Sequence, residues 1–435
     1  MKKVMIFLLI AAMHGSMQGQ FTPDALSYQQ ALALCFEHNY GLKIMRNASE
    51  VAGNNNTLGN AGFLPTISTG VDVNAASRDS RLEFFSGQEV EAEGAQSRAL
   101  GAFALLNWTV FDGFTMFATK DKLAELNLLG ELELRFQMEQ VALALAQLYY
   151  QIVQEQQLLS VYLESVEVSQ ERLVIERRTF ELGSSSELQT LNAEVDLNAD
   201  RALILSQRML IENLKADLNF LLGRDPSTAF TPSSSIDASK GLSFEDLTAQ
   251  LGTQNTGLLA ARARYTVASH EIREQKGNML PQVGVFAEYG FNRQANEVGV
   301  LASNLTQGPN VGVTLRWNLF DGLNNRREIE NRKLWFENAN YEAKSVELEA
   351  KTRLVQQFNA YRFTQQLVDL EQNSLQTARK NLEVAEATYR LGGINALEFR
   401  LIQLSELEAE SRMLRAQYQQ KIAELSLLNL SGNAL

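Results

Sequence analysis

The sequence predicts a mainly α-helical protein with a small membrane β component, arranged as two tandem structural repeats. Three observations carry this. The first is an internal repeat: Phe111-Asp112-Gly113, Leu182-Gly183, Leu188 and Gly223 recur 209 residues later as Phe320-Asp321-Gly322, Leu391-Gly392, Leu397 and Gly432. Upstream, Ser27, Asn39, Gly41-Leu42 and Leu64-Pro65 recur at a spacing of 216, as Ser243, Asn255, Gly257-Leu258 and Leu280-Pro281. A repeat this long decides architecture before any local feature does. The second is composition, since only six prolines in 435 residues, with Glu, Gln, Leu, Ala and Arg filling long stretches, point to long helices. The third is a set of four stretches in which apolar and polar residues alternate.

The N-terminus has the form of a secretion leader over residues 1–20: Lys2 and Lys3, an apolar run from Val4 to Ala12, then small and polar residues. No later stretch approaches the roughly 18 apolar residues of a membrane-spanning helix. Any membrane insertion is therefore expected as strands. A net charge of −12 without a basic cluster argues against a nucleic-acid partner. Cys35 is the single cysteine, which excludes an intrachain disulfide, and Cys35 with His38 offers too few ligands for a metal. No Ser/His/Asp set, metal cluster or phosphate loop marks an enzyme or a cofactor site, so no catalytic, metal or cofactor-binding residue is assigned.

The first repeat is expected over 21–223. Ser27-Tyr28-Gln29-Gln30 fits a capping box, opening a helix that breaks at Asn39-Tyr40-Gly41, and a second helix runs to about Asn56. A strand at about 64–74 sets Ile67, Thr69, Val71 and Val73 on one face. The return strand at about 100–111 sets Leu100, Ala102, Ala104, Leu106, Trp108 and Val110 on the same side. Polar, turn-rich residues from Ala75 to Arg98 are expected to form the connecting loop, which also absorbs the seven extra residues of this repeat (216 minus 209). Asp112 then starts a helix of about 113–181, long enough for a rod of roughly 100 Å. After a turn, a helix at about 187–222 returns. A connector at 224–242, rich in Ser, Pro, Thr and Asp, is expected to have little structure. The second repeat, over 243–432, places short helices first, strands at about 282–292 and 311–320, and long helices at about 322–390 and 396–430.

Four strands cannot close a barrel, and lipid does not tolerate open edges. Two chains would give eight strands, whose interior side chains fill it, so a trimer is the smallest assembly with a lumen. Trp108 and Trp317, at the helix-proximal ends of the return strands, suit either an aromatic girdle at the lipid boundary or ordinary packing at the strand-helix junction.

The chain resembles the TolC-like outer membrane efflux proteins over nearly its whole mature length. The matching features are Leu64-Pro65 and Leu280-Pro281, the Phe-Asp-Gly at Phe111 and Phe320, and Tyr389 to Gly393 with its degenerate twin Phe180 to Gly183. The resemblance implies a homotrimer with a 12-stranded β-barrel in the outer membrane lipid and an α-helical barrel in the periplasm. It also implies a passive exit duct for an inner-membrane transporter, joined through a periplasmic adaptor protein. It places the closed entrance at the helix-reversing turns, with Tyr389, Glu398 and Gln189 as gate candidates. Gln189 stands where the usual acidic counterpart of Tyr389 would fall, so that a bond between them would be neutral. It makes Leu182, Gly183, Leu391 and Gly392 the candidates for adaptor docking. Ser186 to Gln189 and Asn395 to Glu398 also fit capping boxes, so Glu398 and Gln189 have a second reading as helix starters. The alternative function is a secreted, non-conducting coiled-coil scaffold.

Overall fold

The computed structural model describes residues 24–233, 235–238 and 241–432, so the expected leader lies outside the described residues. In chain order the elements are β1 (Asp24–Leu26), α1 (Tyr28–His38), α2 (Tyr40–Asn55), β2 (Thr66–Glu83), β3 (Glu89–Phe111), α3 (Thr115–Glu181), α4 (Glu187–Leu221), β4 (Phe230–Pro232), α5 (Phe244–Gln254), α6 (Thr256–Gly277), β5 (Gln282–Asn296), β6 (Ser303–Arg316), α7 (Asn324–Arg390) and α8 (Ala396–Ser431). The fold is mainly α with a small β part, and the second half repeats the first. Two helices reach 67 residues, as expected where no proline removes a backbone donor. No described helix is long and apolar enough to cross a membrane.

The chain divides into two compact units. Of the described residues, one unit holds those within 24–37, 147–236 and 378–414, and the other those within 38–146, 237–377 and 415–432.

The second unit holds an antiparallel sheet in the order β2-β3-β5-β6. Its register aligns the alternating residues of all four strands. Ile67, Leu106, Ala287 and Val311 form one cross-strand row, and Thr69, Ala104, Tyr289 and Pro309 the next. Residues of even number on β3 and odd number on the other three thus make one apolar face, because side chains alternate along a strand. The opposite face carries Asp72, Glu288, Asn292 and Asn310 around a hollow of about 550 Å³. Two phenylalanines on that face lie over glycines: a Cβ on Gly70 would meet the Phe103 ring at 2.6 Å, and one on Gly312 would meet Phe286 at the same distance. The helices α5, α6, α7 and α8 pack through Leu247, Leu251, Leu258, Leu354, Tyr361 and Leu427, each buried aliphatic contributing about 2 kcal/mol.

The structure corrects the strand boundaries. Instead of about 64–74 and 100–111, the first hairpin pairs from Thr66↔Asn107 out to Glu83↔Glu89, so the loop expected over Ala75 to Arg98 is mostly ladder. The seven extra residues lengthen strands rather than the loop. In the second hairpin the strand expected at about 282–292 extends to Asn296, and the one expected at about 311–320 begins at Ser303 and stops at Arg316. The physical reason is common to both hairpins. In each the apolar band gives way to polar and small residues, Ala75 to Ser80 against Ala92 to Arg98 in the first and Gln294 and Ala295 against Asn304 and Ser303 in the second, where backbone hydrogen bonds hold the ladder and hydrophobic alternation gives little signal. Strand β6 stops at Arg316, opposite Gln282 at the start of β5, whereas β3 continues along β5 to Phe111 through a register shift between Thr109 and Phe111.

The connector is also more structured than expected. Within 224–242, β4 pairs in parallel with β1. In the first unit the buried Tyr149 hydroxyl donates to the Leu26 carbonyl at 2.7 Å and accepts from the Ser233 amide at 3.2 Å, clasping both strands. Three-residue strands are too short for periodicity to reveal.

Capping follows local chemistry. Ser27 and Gln30 form the reciprocal box, Ser27 N donating to Gln30 Oε1 at 2.9 Å and Gln30 N to Ser27 Oγ at 3.2 Å. Asp112 and Asp321 each accept a first-turn amide, from Met116 and Asn325, both at 2.8 Å. They reach it across a left-handed turn in which Phe114 (φ 69°) and Leu323 (φ 65°) follow glycines. Duplication of this uncommon conformation at equivalent positions shows that the junction requires it in both repeats.

Candidate functional site: the helix-reversing turns

Both turns lie in the first unit, and both end their helix in the same way. At the first, Ser184 N donates to Thr179 O at 2.8 Å and Gly183 N to Phe180 O at 2.9 Å. At the second, Gly393 N donates to Thr388 O and Gly392 N to Tyr389 O, each at 2.9 Å. This is the Schellman pattern, which needs a left-handed residue, and Gly183 and Gly392 supply it with φ of 75°. The chain reverses with Leu182 73% exposed and Leu391 88% exposed. Leu188 and Leu397 are exposed beside them.

The starts of the returning helices differ. Asn395 Oδ1 accepts the Glu398 amide at 2.9 Å and the Leu397 amide at 3.0 Å, while Glu398 Oε2 accepts the Asn395 amide at 3.2 Å. The capping box at Asn395 to Glu398 is therefore formed. The one expected at Ser186 to Gln189 is not: Ser186 makes no side-chain cap bond, and Gln189 Oε1 instead accepts the Ser185 hydroxyl.

Nor does Gln189 meet Tyr389. The Tyr389 hydroxyl donates to Glu176 Oε1 on α3, a buried carboxylate whose other oxygen takes Ser185 Oγ at 3.1 Å. The acidic partner of Tyr389 is present, thirteen residues before the position the resemblance assigned to it (189 minus 176). The bond is charge-assisted rather than neutral, and so stronger than expected. The Tyr389 ring stacks on Phe399 with centroids 4.8 Å apart, within an apolar cluster that includes Ala385, Val168 and Ile175. Burial, then the hydrogen bond to Glu176 and its charge, push the Tyr389 hydroxyl far above the usual phenol range, with Arg172 opposing. It stays protonated and keeps donating.

A second polar cluster lies beside it. Arg400 on α8 grips Asp200 on α4 with two bonds, Nη1 to Oδ2 at 2.9 Å and Nη2 to Oδ1 at 2.7 Å. Ser169 Oγ donates to Asp200 Oδ2 at 2.5 Å, and Gln403 Nε2 donates to Ser169 Oγ at 2.9 Å and to the Ser165 carbonyl at 3.0 Å. Arg172 Nη2 reaches Asp196 Oδ2 at 2.5 Å. Ser169, Arg172, Asp200, Arg400 and Gln403 are all buried. Removing one member of such a pair costs about 3–5 kcal/mol, because the other charge is left buried alone. Glu176, Arg172, Asp196, Asp200, Arg400 and Gln403 escaped the sequence reading. Their signal was there: Arg172 and Glu176, Asp196 and Asp200, and Arg400 and Gln403 are polar residues at helical i,i+4 or i,i+3 spacing. Spacing alone does not show which such pairs face inward.

In the second unit, the Trp108 indole donates to the Phe63 carbonyl at 3.0 Å and Trp317 to the Met279 carbonyl at 3.1 Å. Each anchors to the residue just before its Leu-Pro pair, and both rings remain exposed. Trp317 lies just past the end of β6.

The comparisons with known proteins agree with this architecture. The sequence model of the family described as "Outer membrane efflux protein" matches residues 32–224 and 247–433. Among solved structures, the CmeC outer membrane channel of Campylobacter jejuni is similar at a TM-score of 0.79 and 14% identity, covering 99% of this chain and 94% of that one. A membrane protein from Pseudomonas aeruginosa is similar at 0.78 and 16% identity, covering 94% and 91%. The outer membrane protein VceC of Vibrio cholerae is similar at 0.74 and 14% identity, covering 93% and 96%. No curated protein matches the chain in sequence. With both of its repeats matched, the chain belongs to the outer membrane efflux protein family and is a protein of the outer membrane.

Proposed function

We propose that three copies of this chain close a 12-stranded barrel and form a passive exit duct. The duct serves an inner-membrane transporter, joined through a periplasmic adaptor, and carries small molecules or proteins out of the cell. One observation carries this reading: a four-stranded sheet with an apolar face, free of charge from Val283 to Phe291 on β5 and from Leu100 to Val110 on β3, and two unpaired edges, β2 and β6. Lipid tolerates that face but not those edges. Pairing β6 of one copy with β2 of the next satisfies both, and three copies are the fewest that leave a lumen. Solved relatives of the same fold are described as outer-membrane channels.

In this reading Trp108 and Trp317 mark the periplasmic lipid boundary, and the turns form the duct's entrance. The bond from Tyr389 to Glu176 holds the entrance closed, Gln189 plays no direct part in it, and Glu398 both caps α8 and lines the opening. Leu182, Gly183, Leu391 and Gly392, with two exposed leucines on tight backbone turns, suit docking of an adaptor.

The test is the mass of the mature protein in detergent, followed by planar-bilayer recording. A trimer that conducts weakly, and conducts more when Tyr389→Phe is introduced, is expected. A water-soluble monomer would sink the proposal. Glu398→Gln should weaken cation preference or block by divalent cations; unchanged selectivity removes Glu398 from the entrance and leaves it a cap.

A further inference from the structure

The apolar face of the sheet ends abruptly at the side away from the helices. On β5 the lipid-facing positions run Val283, Val285, Ala287, Tyr289 and Phe291 without a charge, and the next is Arg293. On β3 they run from Val110 back to Leu100 without a charge, and the next is Arg98. From Val283 to Arg293 is ten residues, roughly 33 Å of strand at about 3.3 Å each. Tilted by about 40°, this is about 25 Å along the membrane normal, the height of a barrel's apolar band. Arg293 therefore falls at the far lipid boundary.

The register brings the two arginines together. Leu100 pairs with Arg293 and Arg98 pairs with Ala295, so the arginines are diagonal neighbours on one face. Across the other edges, Arg98 faces Ala75 and Arg293 faces Leu305. No carboxylate stands opposite or diagonal to Arg293. The single one diagonal to Arg98 is Glu297, whose Oε2 accepts the Gln96 amide at 2.9 Å. Like charges on adjacent strands repel, and an anion between them turns that cost into attraction. Guanidinium is the side chain best matched to phosphate oxygens.

We propose that Arg98 and Arg293 form a binding site for the phosphate group of an outer-leaflet lipid. This rests on the trimeric barrel reading, which sets the depth of both residues. The site faces lipid, not the lumen, so its occupant is a phosphorylated lipid whose acyl chains lie along the apolar band below.

The experiment uses the purified mature trimer, titrated in detergent with lipid A, with dephosphorylated lipid A and with inorganic phosphate, followed by native mass spectrometry. The variant carries Arg98→Gln and Arg293→Gln together. Each cation near an anionic lipid strengthens binding by about fivefold, so the double variant should bind lipid A about 25-fold more weakly. Dephosphorylated lipid A should bind wild type and variant alike, and weakly. Equal binding of lipid A to both proteins overturns the proposal. So does displacement of lipid A by millimolar inorganic phosphate, which would show a site for a free anion. Failure of the barrel reading would show separately, as a monomeric mass before any lipid is added. Conductance of the double variant should match wild type, since neither residue faces the lumen.

Discussion

Set side by side, the two helix-reversing turns share a backbone and differ in what their side chains offer. Both end in the same left-handed glycine, Gly183 and Gly392. Across the 209-residue shift, however, Glu176 corresponds to Ala385, Asp200 to Ala409, Tyr389 to Phe180 and Arg400 to Leu191. At these four positions one repeat carries a polar group of the buried network and the other an alanine, a leucine or a phenylalanine, whereas Gln403 corresponds to Glu194 and Ser165 to Ser374. The second repeat supplies the donors Tyr389, Arg400 and Gln403, and the first supplies the acceptors Glu176, Asp200, Ser165 and Ser169. Two identical halves would each present the same group to the other, and like charges cannot pair. The halves are complementary at these positions, and their side chains bond α7 and α8 to α3 and α4.

The largest test of this complementarity is at Arg400. Arg400→Ala should destabilise the turn region by about 3–5 kcal/mol by stranding Asp200. The pair Arg400→Leu with Asp200→Ala, which installs at each site the residue of the other repeat, should cost clearly less than the sum of its single changes. Strict additivity in a denaturant or hydrogen-exchange cycle would break the comparison.

Tyr389→Phe comes next, with an expected loss of about 1.5–3 kcal/mol for a hydrogen bond to a charged group. Gln189→Ala should stay within about 0.5 kcal/mol. Hydrogen exchange at the end of α7 distinguishes them, and equal effects would return Gln189 to the position of partner. A smaller contrast lies in the caps. Asn395→Ala should cost about 1 kcal/mol at the start of α8, whereas Ser186→Ala should change little, because Ser186 makes no cap bond.

A pH-dependent contrast concerns Glu406, whose counterpart in the first repeat is the buried Leu197. Burial first, then the neighbouring Glu410, push the Glu406 carboxyl up to about 7, with Arg379 on α7 opposing. A folded-state value above the unfolded one means the folded chain holds this proton more tightly. Its stabilisation is complete below the ordinary carboxylate range and is lost as pH rises through 7. The melting temperature should therefore fall between pH 5 and pH 8, and fall less in Glu406→Gln. Parallel pH profiles for the two proteins would remove Glu406 from the account.

The outer hairpin ends show where reading the sequence stops working. Between Val71 and Val73 and their partners Ala102 and Leu100, apolar side chains on one face make the strand visible as alternation. A few residues further on, Ser77 pairs with Gln96 and Arg78 with Ala95 in the same ladder, with polar side chains on both faces. Only the backbone records that pairing. The helix-reversing turns divide likewise: the glycines and the Asn395 to Glu398 box are local patterns and were legible, whereas the partner of Tyr389 was assigned to Gln189 and is Glu176.

By itself the amino-acid sequence determined the duplication, the strand-forming stretches, the long uninterrupted helices and the turns between them, because each depends on residues close together in the chain. It also determined that four strands must find partners elsewhere. Tertiary structure alone decided which buried polar residues meet: Tyr389 lies 213 residues from Glu176, and Arg400 lies 200 from Asp200. Helical periodicity sets the face on which a side chain stands, but the group opposite depends on the register between helices, which only packing fixes.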